Sequence, residues 1–272
     1  MKFRKLVTSI SLTIGSVLFV SNTAQAASFT SNVSQNSNAK EDIFLNSITQ
    51  KGKTFSTFSY VESVNSFSNT AYTGGNSGAA STDKGDNATA PEQTMEDTTA
   101  SNIAAFLGNN NLNNIIDGEG RTFSMDLKFD SFISEGDEEN KELDSLFFWE
   151  RGMNSDLTIQ ALDEQGNLIG NVMRLNRKVN QKYAGFKINT EEIKRAQKVG
   201  SWGVSLADLN VTGLRGVRVS ADKSHSGPDF KVIARQSSAP KFAKAAKVPE
   251  PGTIIGLSSV AALAFFRRRK SK

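Results

Sequence analysis

The segment Trp149-Glu150-Arg151-Gly152-Met153-Asn154-Ser155-Asp156 sets an indole beside side chains that hydrogen-bond or ligate through oxygen. Glu150, Asn154 and Asp156 are suited to receiving sugar hydroxyls or to ligating calcium, with Trp149 as the stacking surface. A competing arrangement is purely structural: Glu150 pairs with Arg151, Asn154-Ser155 forms a turn, and Trp149 enters the core. A second polar concentration holds Glu135, Asp137, Glu138, Glu139, Glu142 and Asp144. It lacks the spaced D-x-[DN]-x-[DN]-G loop of a specific calcium site, and reads as a solvated hairpin loop.

His225 is the single histidine, flanked by Asp222, Ser224, Ser226 and Asp229. A Ser-His-Asp relay needs a geometry that neighbours in sequence do not provide, and there is no G-x-S-x-G elbow. One histidine cannot build a multi-histidine zinc site. The chain has no cysteine, which excludes thiol catalysis, cysteinyl metal sites and c-type haem attachment. The expectation is a protein without catalytic activity, without a metal site and without a resident cofactor, calcium being the one candidate ligand ion.

The elements that must position these residues are read from periodicity. In "TFSMDLKFD", Phe123, Met125, Leu127 and Phe129 alternate with polar residues, the pattern of a strand with one buried face. Leu157, Ile159 and Ala161 form a second strand, and Asp163 to Asn167 turns the chain back through Leu168-Ile169. "LDSLFFWERG" is a strand too apolar to have an exposed face. Short strands follow in "QKYAGFKIN", "SWGVSLADL", "GLRGVRVSA" and "PDFKVIARQ". Between them, "NTEEIKRAQKV" is expected to form a brief helix boxed by Asn189 and Glu192. In the first half, "KTFSTFSYVESVNSF" favours strand, and Thr70 to Thr89 lacks apolar residues and is expected as a long surface loop, within a flexible stretch over 70–100. Ser101 or Thr99 can cap a helix carrying Ile103, Phe106 and Leu107, ended by Gly108 and the following asparagines, with a second short turn at Leu112 to Ile116. The Ser/Asn-rich stretch after Ala26 reads as a loose leader. Many short strands without regular intervening helices predict an all-β protein, an antiparallel, jelly-roll-like β-sandwich with one or two short peripheral helices.

Both ends carry different signals. Lys2, Arg4 and Lys5 precede an apolar-rich stretch from Leu6 to Val20 and then Ala24-Gln25-Ala26, the layout of a signal peptide spanning residues 1–26. At the other end, Ile254 to Phe266 would rise only about 20 Å as a helix, against a hydrocarbon layer of about 30 Å, and Arg267, Arg268 and Arg269 follow. A single transmembrane helix here is marginal, with its arginines held on the cytoplasmic side. Pro249 and Pro251 resist the helix interior and keep the junction extended beside the membrane. The formal net charge of +4 belongs to these ends. Setting them aside leaves 24 basic against 27 acidic residues from Ala27 to Pro249, which gives no footprint for nucleic acid.

Val248-Pro249-Glu250-Pro251, the short apolar helix and the arginine cluster together resemble the PEP-CTERM sorting signal of Gram-negative bacteria, and residues 248–272 are expected to form it. The resemblance implies that an exosortase recognises Glu250 and its flanking prolines and releases or transfers the protein to the cell surface. It implies transit through the Sec translocon and signal peptidase, transient inner-membrane association, and an exported domain over 27–247. Phe147 to Asn167 and Leu214 to Ala234 resemble segments of exosortase-dependent surface proteins. The function implied is a structural or adhesive surface or extracellular-matrix protein; a carbohydrate-binding, lectin-like module contacting exopolysaccharide or other envelope glycans is the alternative.

Overall fold

The architecture is that of a computed structural model, which describes residues 29–237 apart from 35–37, 72–77, 90, 92–95, 136–141, 180 and 193–194. The chain divides into two units, Met1–Gln236 and Ser237–Lys272. The expected signal peptide and sorting helix lie outside the described residues. Among those residues, no helix is long and apolar enough to cross a membrane.

Alternating and fully apolar runs become strands where expected. β8 (Phe123–Ser134) buries Phe123, Met125, Leu127 and Phe129 against its neighbours β14 (Gly213–Ala221) and β5 (Val61–Asn69). β10 (Leu157–Leu162) and β11 (Leu168–Leu175) complete an antiparallel five-stranded sheet in the order β11-β10-β14-β8-β5. The turn between β10 and β11 closes through Asp163, whose Oδ1 accepts from the amides of Gln165 and Asn167, while Gly166 takes φ +83°. That left-handed conformation strains a residue bearing a Cβ.

The second sheet runs β12 (Lys182–Ile188), β13 (Gln197–Val204), β9 (Leu146–Arg151), β15 (Phe230–Arg235), β7 (Asn114–Gly118) and β6 (Ala80–Lys84), with β4 (Phe58–Ser59) paired on β15. β9 is buried throughout because alternation sends its residues into two cores. Leu146 and Phe148 join a large cluster that also holds Leu127, Val217 and Ile159 of the five-stranded sheet. Phe147 and Trp149 join a smaller cluster with Ile48, Ile115 and Ile233. The smaller cluster is lined by a three-stranded sheet of β1 (Phe29–Val33), β2 (Leu45–Gln50) and β3 (Lys53–Phe55).

Helix α1 (Ala100–Leu107) starts at Thr99, whose side chain accepts from the amide of Asn102, and buries Ile103, Phe106 and Leu107. Its C-terminal carbonyls are met by Asn109 Nδ2, which donates to Ala105 O and Phe106 O, and by Lys231 Nζ, which donates to Phe106 O. A cation at a helix C-terminus is favoured by the exposed carbonyl dipoles. Burial nevertheless pushes the Lys231 amine well below its usual value.

Four expectations are corrected. The supposed leader contains β1, because Phe29 packs edge-on against Phe147 and Trp149. The supposed loop over 70–100 contains β6, whose small residues Ala80, Ser81 and Thr82 are fully buried and whose Asp83 finds an ionic partner elsewhere. Gly78 precedes this strand, and a Cβ there would stand 2.4 Å from Asn69 Nδ2, which donates to Ala80 O, so a side chain would have to displace that bond. Leu112 to Ile116 leads into strand β7 rather than a helical turn. Thr190 and Glu191, expected in a helix, are drawn out along β6: Thr190 bridges Gly85, and the Glu191 amide donates to Lys84 O. This contact joins segments adjoining the two end strands of the second sheet, β6 and β12.

Candidate functional site

Arg151 ends β9 on the face that carries Phe147 and Trp149. Side-chain alternation puts Asp117 of β7 on the face of Ile115, and Asp83 of β6 lies directly across from Ile115. Three strands thus aim polar ends at one place. Arg151 Nη1 donates to Asp83 Oδ2 at 2.9 Å and to Thr190 Oγ1; Nη2 donates to Asp117 Oδ1 at 3.1 Å and Asp229 Oδ2 at 2.9 Å; Nε donates to Asp229 Oδ2 at 3.0 Å. All five guanidinium N–H donors are therefore spent. Glu119 and Glu192 add their charges nearby.

The electrostatics follow from crowding carboxylates away from water. Burial pushes Asp83 up to about 7 despite Arg151, and pushes Glu119 to about 7 with help from Glu192. Asp117 is raised well above its ordinary value by burial, then by Asp229. Burial works to lower Arg151, but Asp229, Asp83 and Asp117 outweigh it and hold the guanidinium charged.

The residues expected to form a ligand surface do not converge. Trp149 is 1% exposed, donates from Nε1 to Ser31 Oγ at 3.0 Å and meets the Phe29 ring at 5.9 Å. Strand β1 contributes both groups that cover the indole, so the expectation of a stacking platform is corrected. Trp202 is also buried, in the larger cluster. Glu150 points to the opposite face of β9 from Trp149, where Gln181 Nε2 donates to its Oε2 at 2.8 Å; burial raises its carboxyl well above the usual range. Asp156 is clasped by Arg174, through Nε at 3.0 Å and Nη2 at 2.7 Å, and by the Arg177 amide. Of the four, Asn154 is exposed, and its Oδ1 accepts from Ser155 Oγ. The anticipated Glu150–Arg151 pair does not form, because adjacent strand residues face opposite ways.

His225 sits in a 3-10 turn over Lys223–His225 that closes as a capping box. Nδ1 meets both the Asp222 carboxylate, at 2.8 Å, and the Asp222 amide, at 3.1 Å, while Nε2 lies 2.9 Å from Thr158 Oγ1. A shallow groove of about 210 Å³ on the five-stranded sheet is lined by Asn65, Asp126, Lys128, Gln165 and Arg215, with no aromatic ring among its lining.

The acidic run divides. Residues 136–141 lie outside the described set, and exposed Glu142 pairs with Lys51 at 3.0 Å. Asp144, expected in solvent, is buried: it accepts from Gln50 Nε2 at 2.7 Å and donates its amide to Gln50 Oε1. Burial pushes its carboxyl up to about 7. The folded protein holds this proton more tightly than the unfolded chain, whose aspartates titrate near 3.9. The resulting stability is complete below about pH 4 and is lost as pH rises through about 7. Asp144→Asn is therefore expected to flatten the decline in urea midpoint between pH 5 and 8, with the variant gaining on the wild type at the upper end; parallel profiles would refute it.

Asp83 and Asp117 carry no motif in the sequence, while Asp229 stands out there only as a neighbour of His225 and Glu192 only as a helix-boxing residue. The one available signal was alternation in "NNIIDG", which places Asp117 on a buried face without naming its partner.

Comparison with known proteins locates a recognisable signature at the end of the chain. The PEP-CTERM protein-sorting motif matches residues 247–270. Neither a curated protein nor a solved structure matches the chain. The motif spans Val248-Pro249-Glu250-Pro251, the apolar stretch and Arg267 to Arg269, and it implies export to the cell surface or the extracellular space with an exosortase as processing partner. That match shows a PEP-CTERM protein-sorting motif over residues 247–270, and the motif supports an exosortase-dependent protein.

Proposed function

We propose that the exported region is a non-catalytic structural or adhesive module of the cell surface or extracellular matrix, delivered by a signal peptide over residues 1–26 and tethered transiently to the inner membrane by the sorting helix. Its two larger sheets, which share one hydrophobic cluster, form a β-sandwich. The observation that carries the reading is the sorting motif at residues 247–270 on an antiparallel β domain. The arrangement of polar groups supports it: Arg151, Asp156 and His225 are engaged by neighbouring protein groups rather than gathered in an open cleft. The lectin-like alternative draws less support, because Trp149 and Trp202 are both buried.

The reading is tested by intact mass and membrane fractionation in a host with its exosortase present and then deleted. Surface protein lacking Arg267 to Lys272 in the first host, and membrane-held protein retaining them in the second, is the expected result. Surface protein that keeps this tail in both hosts would make the segment an ordinary anchor.

A further inference from the structure

Asp83, Asp117 and Glu192 each bring a carboxylate oxygen within 4.8 Å of the others. A separate observation concerns Asp83 alone. Its side chain is 2% exposed, Oδ2 is held by Arg151, and the buried Oδ1 has no hydrogen-bond partner. A buried carboxylate oxygen without a donor is costly unless a proton or cation meets it. Arg151 cannot turn to it, since its five donors are already engaged. Asp83, Asp117 and Asp229 also set three carboxylates against that single guanidinium, with the Glu192 carboxylate beside Asp83 and Asp117.

We propose that Asp83, Asp117 and Glu192 form a calcium-binding site at the solvent-facing side of this polar cluster. The ligand set is oxygen only, which suits a hard cation and disfavours zinc. Two calcium–oxygen bonds of about 2.3–2.6 Å bridge oxygens up to about 5 Å apart, whereas two magnesium–oxygen bonds of about 2.0–2.1 Å reach only about 4 Å. The spread of the three carboxylates therefore admits calcium at its full width. Glu192 is exposed, which provides the entry path and leaves room for water to complete a coordination of 6–8 oxygens. Arg151 stays nearby and weakens binding, so the affinity belongs in the range of about 10⁻⁴–10⁻³ M found for extracellular calcium modules.

The ion would act as a staple. Asp83 lies on β6, one end strand of the second sheet, and Glu192 follows β12, the other end strand. The Gly85–Thr190 bridge already draws these regions together, and calcium would lock them.

The test uses full-length protein in mild detergent, melted in EDTA, in calcium chloride and in magnesium chloride at matched ionic strength. With calcium about fifty-fold above Kd, Tm should rise by about 5–9 °C, and calorimetric titration should give one site. Magnesium should give a much smaller rise. Glu192→Gln, at an exposed position, should leave Tm in EDTA unchanged while weakening calcium binding at least tenfold. No calcium shift in the wild type, an equal shift with magnesium, or an equal calcium shift in Glu192→Gln would each overturn the proposal.

Discussion

Arg151→Met is expected to remove about 3–5 kcal/mol from the stability of the domain, measured by urea unfolding in EDTA. Methionine matches the length of the aliphatic stem but leaves Asp83, Asp117 and Asp229 without the donors they now share. The loss comes from stranding buried carboxylates rather than from the bare value of three ion pairs. For that reason Arg151→Lys should fall between the two: it keeps the charge, but its three donors cannot reproduce five directed bonds. A loss below about 1 kcal/mol for Arg151→Met would mean that the carboxylates are already neutral in the folded protein. Spectra of the folded variant at low temperature separate simple destabilisation from a collapsed fold.

Changing Pro249, Glu250 and Pro251 together to alanine should abolish surface delivery while leaving removal of residues 1–26 normal. The substitution lengthens the helix-competent stretch before Arg267, Arg268 and Arg269, so membrane retention by hydrophobicity and charge is kept or improved. If surface delivery depends on an exosortase reading the motif, uncleaved protein accumulates in the inner membrane. If only the apolar helix and its arginines matter, surface yield is unchanged. Intact mass of the membrane and surface fractions decides between these outcomes, since processed protein lacks Arg267 to Lys272.

Glu150 and Trp149 are neighbours in sequence but face apart in the fold. Their proximity in sequence suggested one ligand surface, yet a β-strand turns adjacent side chains to opposite faces. The cover over Trp149 comes from β1. Thr30, Ser31 and Asn32 give the leader a polar appearance, and the one aromatic residue that anchors it, Phe29, gains its value only against Phe147 and Trp149. β6 failed to appear for a related reason. Its residues are small or polar, so it has no hydrophobic period, and its burial depends on β7 alongside it and on Arg151 at its end.

What the sequence determined by itself is local or one-dimensional. The alternation in β8, the apolar run of β9, the Asp163 turn and the Thr99 cap all arise from interactions among near neighbours, and each is readable in a window of a few residues. The sorting motif is readable for the same reason, because its elements lie together in one short linear segment. Tertiary structure alone decided that Asp83, Asp117, Asp229 and Thr190 meet Arg151. These partners lie between 34 and 78 positions away along the chain, and their approach is set by strand order and register in a seven-stranded sheet. No local pattern encodes that register, because it is the joint minimum of burying two apolar clusters on opposite faces of β9 and β15. The charged side chains are carried to one another by that packing.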